Sequence, residues 1–238
     1  MKRIICIVIM VTASCWFVGE DAGGAEFCVS DAVGLQSALT TAAANTEADT
    51  IKVVQGTYLG HFSYNSSKGY GITLQGGYTV GCASRVLDPA NTVLDGSGTT
   101  GRVLYLYNSS GGDISVEGVT IRNGNLAADG GGIYAHSESA SGTAGNVTLA
   151  TNTVTGNSAT GSGAGGGIHA RSESDSGTAG NITLLNNIVT GNTSGTFGGG
   201  AFTYSISNSG AAGTITLINN IVAWNTAADQ GGGGVYVC

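Results

Sequence analysis

Two glutamates occupy the same short phrase on either side of a 35-residue step: Ser137-Glu138-Ser139 and Ser172-Glu173-Ser174, the second followed by Asp175. Paired carboxylates are the working groups of glycoside hydrolysis, and a separation of about 5 Å is that of a retaining acid and nucleophile. Two observations favour a duplicated, solvated loop instead. The third copy carries Ile206 at the same place, and no aromatic residue beside either glutamate offers a platform for a sugar ring. Asp129 and Asp229, each close ahead of a glycine run, are oxygen ligands suited to weakly held Ca2+, the one cofactor these residues suggest. Cys28 and Cys82 are expected to form a disulfide, because neither stands in a Cys-x-x-Cys pair or near a histidine at ligand spacing. Cys238 is then left over.

The elements that must position these residues repeat. Gly130-Gly131-Gly132-Ile133-Tyr134 returns as Gly165-Gly166-Gly167-Ile168-His169, as Gly198-Gly199-Gly200-Ala201-Phe202 and as Gly232-Gly233-Gly234-Val235-Tyr236. A fixed period near 34 means one unit stacked on copies of itself. Within each unit, Asn146-Val147-Thr148-Leu149, Asn181-Ile182-Thr183-Leu184 and Thr214-Ile215-Thr216-Leu217 alternate apolar with polar residues, the period of a half-buried strand. Asn152, Asn187 and Asn220, with Asn157, Asn192 and Asn225, form two columns read as stacked turn ladders. The glycine triplets lack the lysine and following helix of a phosphate loop, so turn geometry accounts for them.

Apolar runs beginning at Ile51, Ile72, Val93 and Ile114 extend the register upstream in steps of 21 residues, enough for three short strands and their turns. The expected fold is all-β: a single-stranded right-handed parallel β-helix of about seven rungs, a rod on the order of 30 Å long. The longer later steps place outward loops at Ser137 to Gly145 and Ser172 to Gly180. A short capping helix is expected between Ser30 and Asn45, where Leu35, Ala38, Leu39 and Ala42 share one face. The division is residues 1–25 as signal peptide, 26–48 as cap, and 49–238 as β-helix.

With 42 glycines, one proline and 10% charged residues in 238, the chain suits tightly turned strands, and its mean hydropathy of +0.17 opposes disorder. A net charge of −7 makes nucleic acid a poor partner. Lys2 and Arg3, an apolar run to Val11 and small residues at Ala22 to Ala25 describe an export signal, too short for a transmembrane helix. Thr12-Ala13-Ser14-Cys15 is a loose version of a lipoprotein box, with Thr where Leu is usual. The chain is therefore expected outside the cell or on a bacterial outer surface. The sequence stops one strand into a new repeat, and an uncovered rung there invites end-to-end or edge-strand association.

Asp49-Thr50-Ile51-Lys52-Val53-Val54-Gln55-Gly56-Thr57-Tyr58 resembles the opening of bacterial parallel β-helix proteins with the pectin-lyase-like fold. The stretch from Val116 to Asn125 followed by Asp129-Gly130-Gly131-Gly132-Ile133-Tyr134 resembles the repeats of polymorphic outer-membrane proteins, with Val-x-x-Asn at Val154, Val189 and Val222 where that family has Phe-x-x-Asn. The resemblance implies the fold and a surface location. It does not extend to pectin-cleaving chemistry, because the Asn-x-Asp, Asp-Asp and Gly-His-Gly elements of that chemistry are missing. The expected function is non-catalytic adhesion or structural display, with a carbohydrate or cell-surface ligand. The alternative is a polysaccharide lyase or glycosidase working through Glu138, Glu173 and Asp175.

Overall fold

The computed structural model describes residues 24–229 and 231–238. The expected export segment thus lies outside the described residues apart from Gly24 and Ala25. The chain winds as a parallel β-solenoid with three long faces. The first face holds seven strands: Glu26–Val29, Asp49–Val54, Ile72–Tyr78, Ile114–Glu117, Val147–Ala150, Ile182–Leu185 and Ile215–Ile218. The second runs in six from Gly56–Leu59 to Ile221–Ala223, the third in six from Phe62–Ser66 to Val235–Val237. A fourth, narrow face of two-residue strands joins the second to the third in the later coils.

Alternation along each strand sends one set of side chains inward, and parallel register stacks like on like. Ile51, Leu74, Val116, Leu149 and Leu184 form one buried column of the first face. Each such side chain contributes roughly 1.5–3 kcal/mol by leaving water. At the turn between the first and second faces, Asn152 donates from its backbone N–H and Nδ2 to Asn187 Oδ1 (3.0 and 3.2 Å), and Asn187 repeats both bonds to Asn220. Asn157, Asn192 and Asn225 do the same at the next turn. The expected ladders are present, and they leave these buried amides paired.

The number of turns is corrected. Val93 pairs with Thr57 and Thr120 and so belongs to the second face, whereas Ile72 is the register partner of Ile114, 42 residues on. Five full turns, not seven rungs, separate Asp49–Val54 from Ile215–Ile218. The excess between Ile72 and Ile114 is an excursion through two 3-10 turns, Val80–Cys82 and Pro89–Asn91. All faces share one apolar alternation, so a 21-residue spacing did not distinguish the next coil from the next face.

The Ser/Gly stretches are also corrected. Ile133–Ser139 and Ile168–Ser174 are seven-residue strands, and Ser137 and Ser172 are wholly buried. Ser172 Oγ donates to Gly145 O (3.0 Å) of the previous coil and accepts from Gly180 N (2.8 Å) of its own. Ser174 Oγ makes the equivalent bonds to Gly142 O and from Gly177 N. Ser205 and Ser207 repeat the pattern, donating to Gly180 O and Gly177 O and accepting from Gly213 N and Gly210 N. Serine alternation thus latches three successive turns, with Glu138 and Glu173 facing outward between the serines of the first two.

The start of the stack is covered. Helix Ala32–Ala44 buries Leu35, Ala38, Leu39 and Ala42, and Asp31 Oδ1 caps it by accepting from Gly34 N at 2.7 Å. Gln36 pairs with Ser63 as a neighbouring strand would, donating to Ser63 O (2.9 Å) and accepting from Ser63 N (2.8 Å). Cys28 and Cys82 form a disulfide, with Cα atoms 5.8 Å apart, tying the first strand to the first 3-10 turn. At the other end Leu217, Ile218, Ile221, Trp224 and Val237 are exposed, and Cys238 is free. No helix among the described residues is long and apolar enough to cross a membrane.

Candidate functional site: the outer surface of the third face

Along the third-face strands from Leu104–Asn108 to Ile168–Ser174 the second residue and every alternate one after it turn outward, and the register gathers them into columns. Tyr105, Tyr134, His169, Phe202 and Tyr236 form the first. Their rings stack at centroid distances of 5.2, 5.0, 5.0 and 5.6 Å, with planes within 28° of parallel. Tyr107, His136, Arg171 and Tyr204 form the second column, and Glu138, Glu173 and Ile206 the third. The turn that precedes each strand folds over the first column. Gly130, Gly165 and Gly198 take the left-handed backbone there (φ 68°, 66° and 59°), and this conformation is why these three triplets start with glycine. The turns place Asp129, Ala164 and Phe197 as one wall of a lateral groove.

Register makes Glu138 and Glu173 partners on adjacent strands, about 4.8 Å apart at the backbone. They have different surroundings. Glu138 accepts from Tyr107 Oη at 2.6 Å, while Glu173 is ion-paired with Arg171 on its own strand. His136 Nε2 stands 3.7 Å from Glu173, and Nδ1 meets Tyr134 Oη at 3.2 Å. Burial, with Arg171 and His169 adding to it, pushes the His136 pKa down to about 3. Burial likewise outweighs the opposing pull of Asp129 and lowers His169 to about 4. Both imidazoles are therefore neutral at pH 7, and the His136 approach to Glu173 is not an ion pair. Burial and then Glu138 hold the Tyr107 hydroxyl well above the usual tyrosine range. Arg102 lies over Tyr134 and Tyr105, 4.8 and 5.4 Å from their centroids, and donates from Nε to Asp129 O.

No family model, curated protein or solved structure matches the chain. What the chain can do therefore has to be read from this face.

Of the residues singled out in the sequence, the fold brings Glu138 and Glu173 together and sets His136 and Arg171 beside them. Asp175 lies beyond the strand end, exposed, and accepts from Asn208 Nδ2 at 3.0 Å. Asp129 Oδ1 accepts from Ala164 N (2.8 Å), and Asp229 is exposed elsewhere. No group of three or more His, Cys, Asp or Glu side chains suited to a metal converges among the described residues. The expectation that no aromatic side chain flanks the glutamates is corrected, since Tyr107 bonds Glu138 directly. It was hidden because Tyr107 lies 31 residues upstream, one coil away. The first column had a visible signal: an aromatic or histidine follows every Gly-Gly-Gly-aliphatic phrase. Stacked against each other, these rings present edges and hydroxyls outward and not open faces.

Proposed function

We propose that this chain is an exported, non-catalytic β-solenoid module for adhesion or structural display that holds a glycan or other cell-surface ligand against the outer surface of its third face. The observation that carries the reading is the groove itself: a five-ring stack lined on one side by turns and on the other by Tyr107, His136, Arg171, Glu138 and Glu173. Recognition of polar polymers uses such convergent hydroxyls, carboxylates and guanidinium groups beside aromatic surface. The serine-latched turns, closed by their own hydrogen bonds, offer less. The Cys28–Cys82 bridge supports export, because disulfides persist in oxidising compartments. The likeness of the repeats to polymorphic outer-membrane proteins belongs to this reading, as does edge association through the exposed apolar side chains of the last strands.

A screen of immobilised polysaccharides and cell-surface glycans tests it, comparing wild type with the double variant Tyr107→Phe/Glu138→Gln. Binding at least tenfold weaker in the variant is expected; unchanged binding overturns the assignment to this face. A second reading, polysaccharide cleavage, is favoured by the gathering of Glu173, His136 and Arg171 beside Glu138. Product release from polyuronates or neutral glycans, with and without Ca2+, that Glu138→Gln and Glu173→Gln abolish would establish it in place of the first.

A further inference from the structure

We propose that the cleft over His169 is a subsite for one uncharged sugar ring. The inference rests on the third face being the ligand surface and adds which part of it discriminates, and for what.

A cleft of about 360 Å³ opens there, lined among others by Asp129, His169, Arg171, Phe197, Phe202 and Tyr204. That volume is near the lower end of small-molecule sites, which suits one ring better than a folded oligomer. The His169 side chain is 5% exposed, and beyond a weak approach to the Ala164 backbone its ring nitrogens have no hydrogen-bond partner among the described residues. Asp129 Oδ2, the nearest carboxylate oxygen, is 3.9 Å from Nδ1, beyond bonding distance. Arg171 Nε is also buried and unpaired. Buried polar atoms without partners are uncommon in folded proteins, and three belonging to two residues of one cleft point to groups that a ligand satisfies once the side chains around them adjust to it.

The chemistry of the lining selects the ligand class. Arg171 is balanced by Glu173 on the same strand. Asp129 faces the neutral imidazole, and Arg102 binds its backbone carbonyl. Positive and negative groups around the cleft are thus matched, so a charged ligand would bring an unpaired charge into a partly buried site. A neutral imidazole offers one donor and one acceptor, Asp129 an acceptor and Arg171 a donor. Hydroxyl groups, donors and acceptors at once, satisfy that set. Phe197, outside the stack and 38% exposed, supplies apolar surface for the C–H side of the ring, and Phe202 and Tyr204 add their ring edges.

The test uses the whole chain and methyl pyranosides of glucose, galactose and mannose as neutral probes, with glucuronate and glucosamine as charged counterparts. Binding is followed by calorimetry and by the imidazole nitrogen resonances. One or more neutral pyranosides should bind at least tenfold more tightly than either charged sugar and shift the His169 resonances. His169→Phe keeps a ring between Tyr134 and Phe202 but removes both nitrogens. It should weaken neutral binding roughly tenfold, the loss of about one well-made hydrogen bond, while the apo protein melts at the same or a higher temperature. Equal binding by His169→Phe, or preference for a charged sugar, overturns the subsite. If polymeric glycans still bind wild type through Tyr107 and Glu138 while no pyranoside binds, the subsite falls and the wider reading stands. If neither binds, both fall.

Discussion

The histidines of the groove show how one residue type couples environment to stability. His136 and His169 have folded pKa values of about 3 and 4, below the usual 6.5, because burial disfavours the imidazolium. The unfolded chain therefore binds more protons between pH 6.5 and 4. Stability is complete above about pH 6.5 and is lost as pH falls toward the folded values, by up to about 1.4 kcal/mol per pH unit for each histidine. Thermal unfolding followed from pH 7 to pH 4 should show this fall, and His136→Phe/His169→Phe should flatten it. A slope unchanged in the double variant would mean that other groups drive it. Asp95 reinforces the trend. Burial alone would raise its pKa, but bonds from Ser97, Asn123 and Arg122 hold it below the usual carboxylate range, and that stabilisation too is lost on acidification.

Among the elements, the serine-latched turns and the asparagine ladders set the register. Asn187 Oδ1 accepts two bonds from Asn152, and Asn187 Nδ2 donates to Leu149 O and Asn220. Asn187→Ala strands those buried partners and is expected to cost about 3 kcal/mol, measurable by denaturant unfolding; a loss below 1 kcal/mol would mean that the ladder is dispensable. The strands and ladders were legible in the sequence because alternation and the recurring Asn are local signals. The serine latch was not: Ser-Glu-Ser reads as a polar loop until Ser172 is seen bonding Gly145, a residue of the previous coil. The candidate site divides the same way. Repeat spacing alone made Glu138 and Glu173 neighbours, whereas Tyr107 reaches Glu138 only through the winding of the coil. Asp175 fell outside because the strand ends at Ser174.

Over the whole molecule, each coil touches only its neighbours, so stability propagates from a closed end. Helix Ala32–Ala44, Gln36 and the Cys28–Cys82 bridge close that end. The bridge spans 54 residues, for which loop-closure entropy gives about 4 kcal/mol. Cys28→Ser/Cys82→Ser should lower unfolding free energy by about 2–4 kcal/mol, read by chemical denaturation under oxidising conditions. No change would place the closure in the helix alone. The turn count is not legible in the sequence at this scale, for the reason Val93 illustrates: one apolar phrase serves every face.

The turns that wall the groove differ from the other connections in one respect. From the third-face strand to the next first-face strand, every latched turn has the same span: Ser139 to Val147, Ser174 to Ile182 and Ser207 to Ile215. The groove-side connection does not: Leu126 to Ile133, Ala159 to Ile168, Ser194 to Ala201 and Ala227 to Val235 advance by 7, 9, 7 and 8 positions. The irregular 33- and 35-residue steps originate here. Residues can be gained or lost at this margin without moving a ladder, a latch or a core column. In the coils from Ile114 to Ile215, change in length is thus confined to the rim of the third-face groove, and the spine of ladders, latches and core columns keeps its spacing.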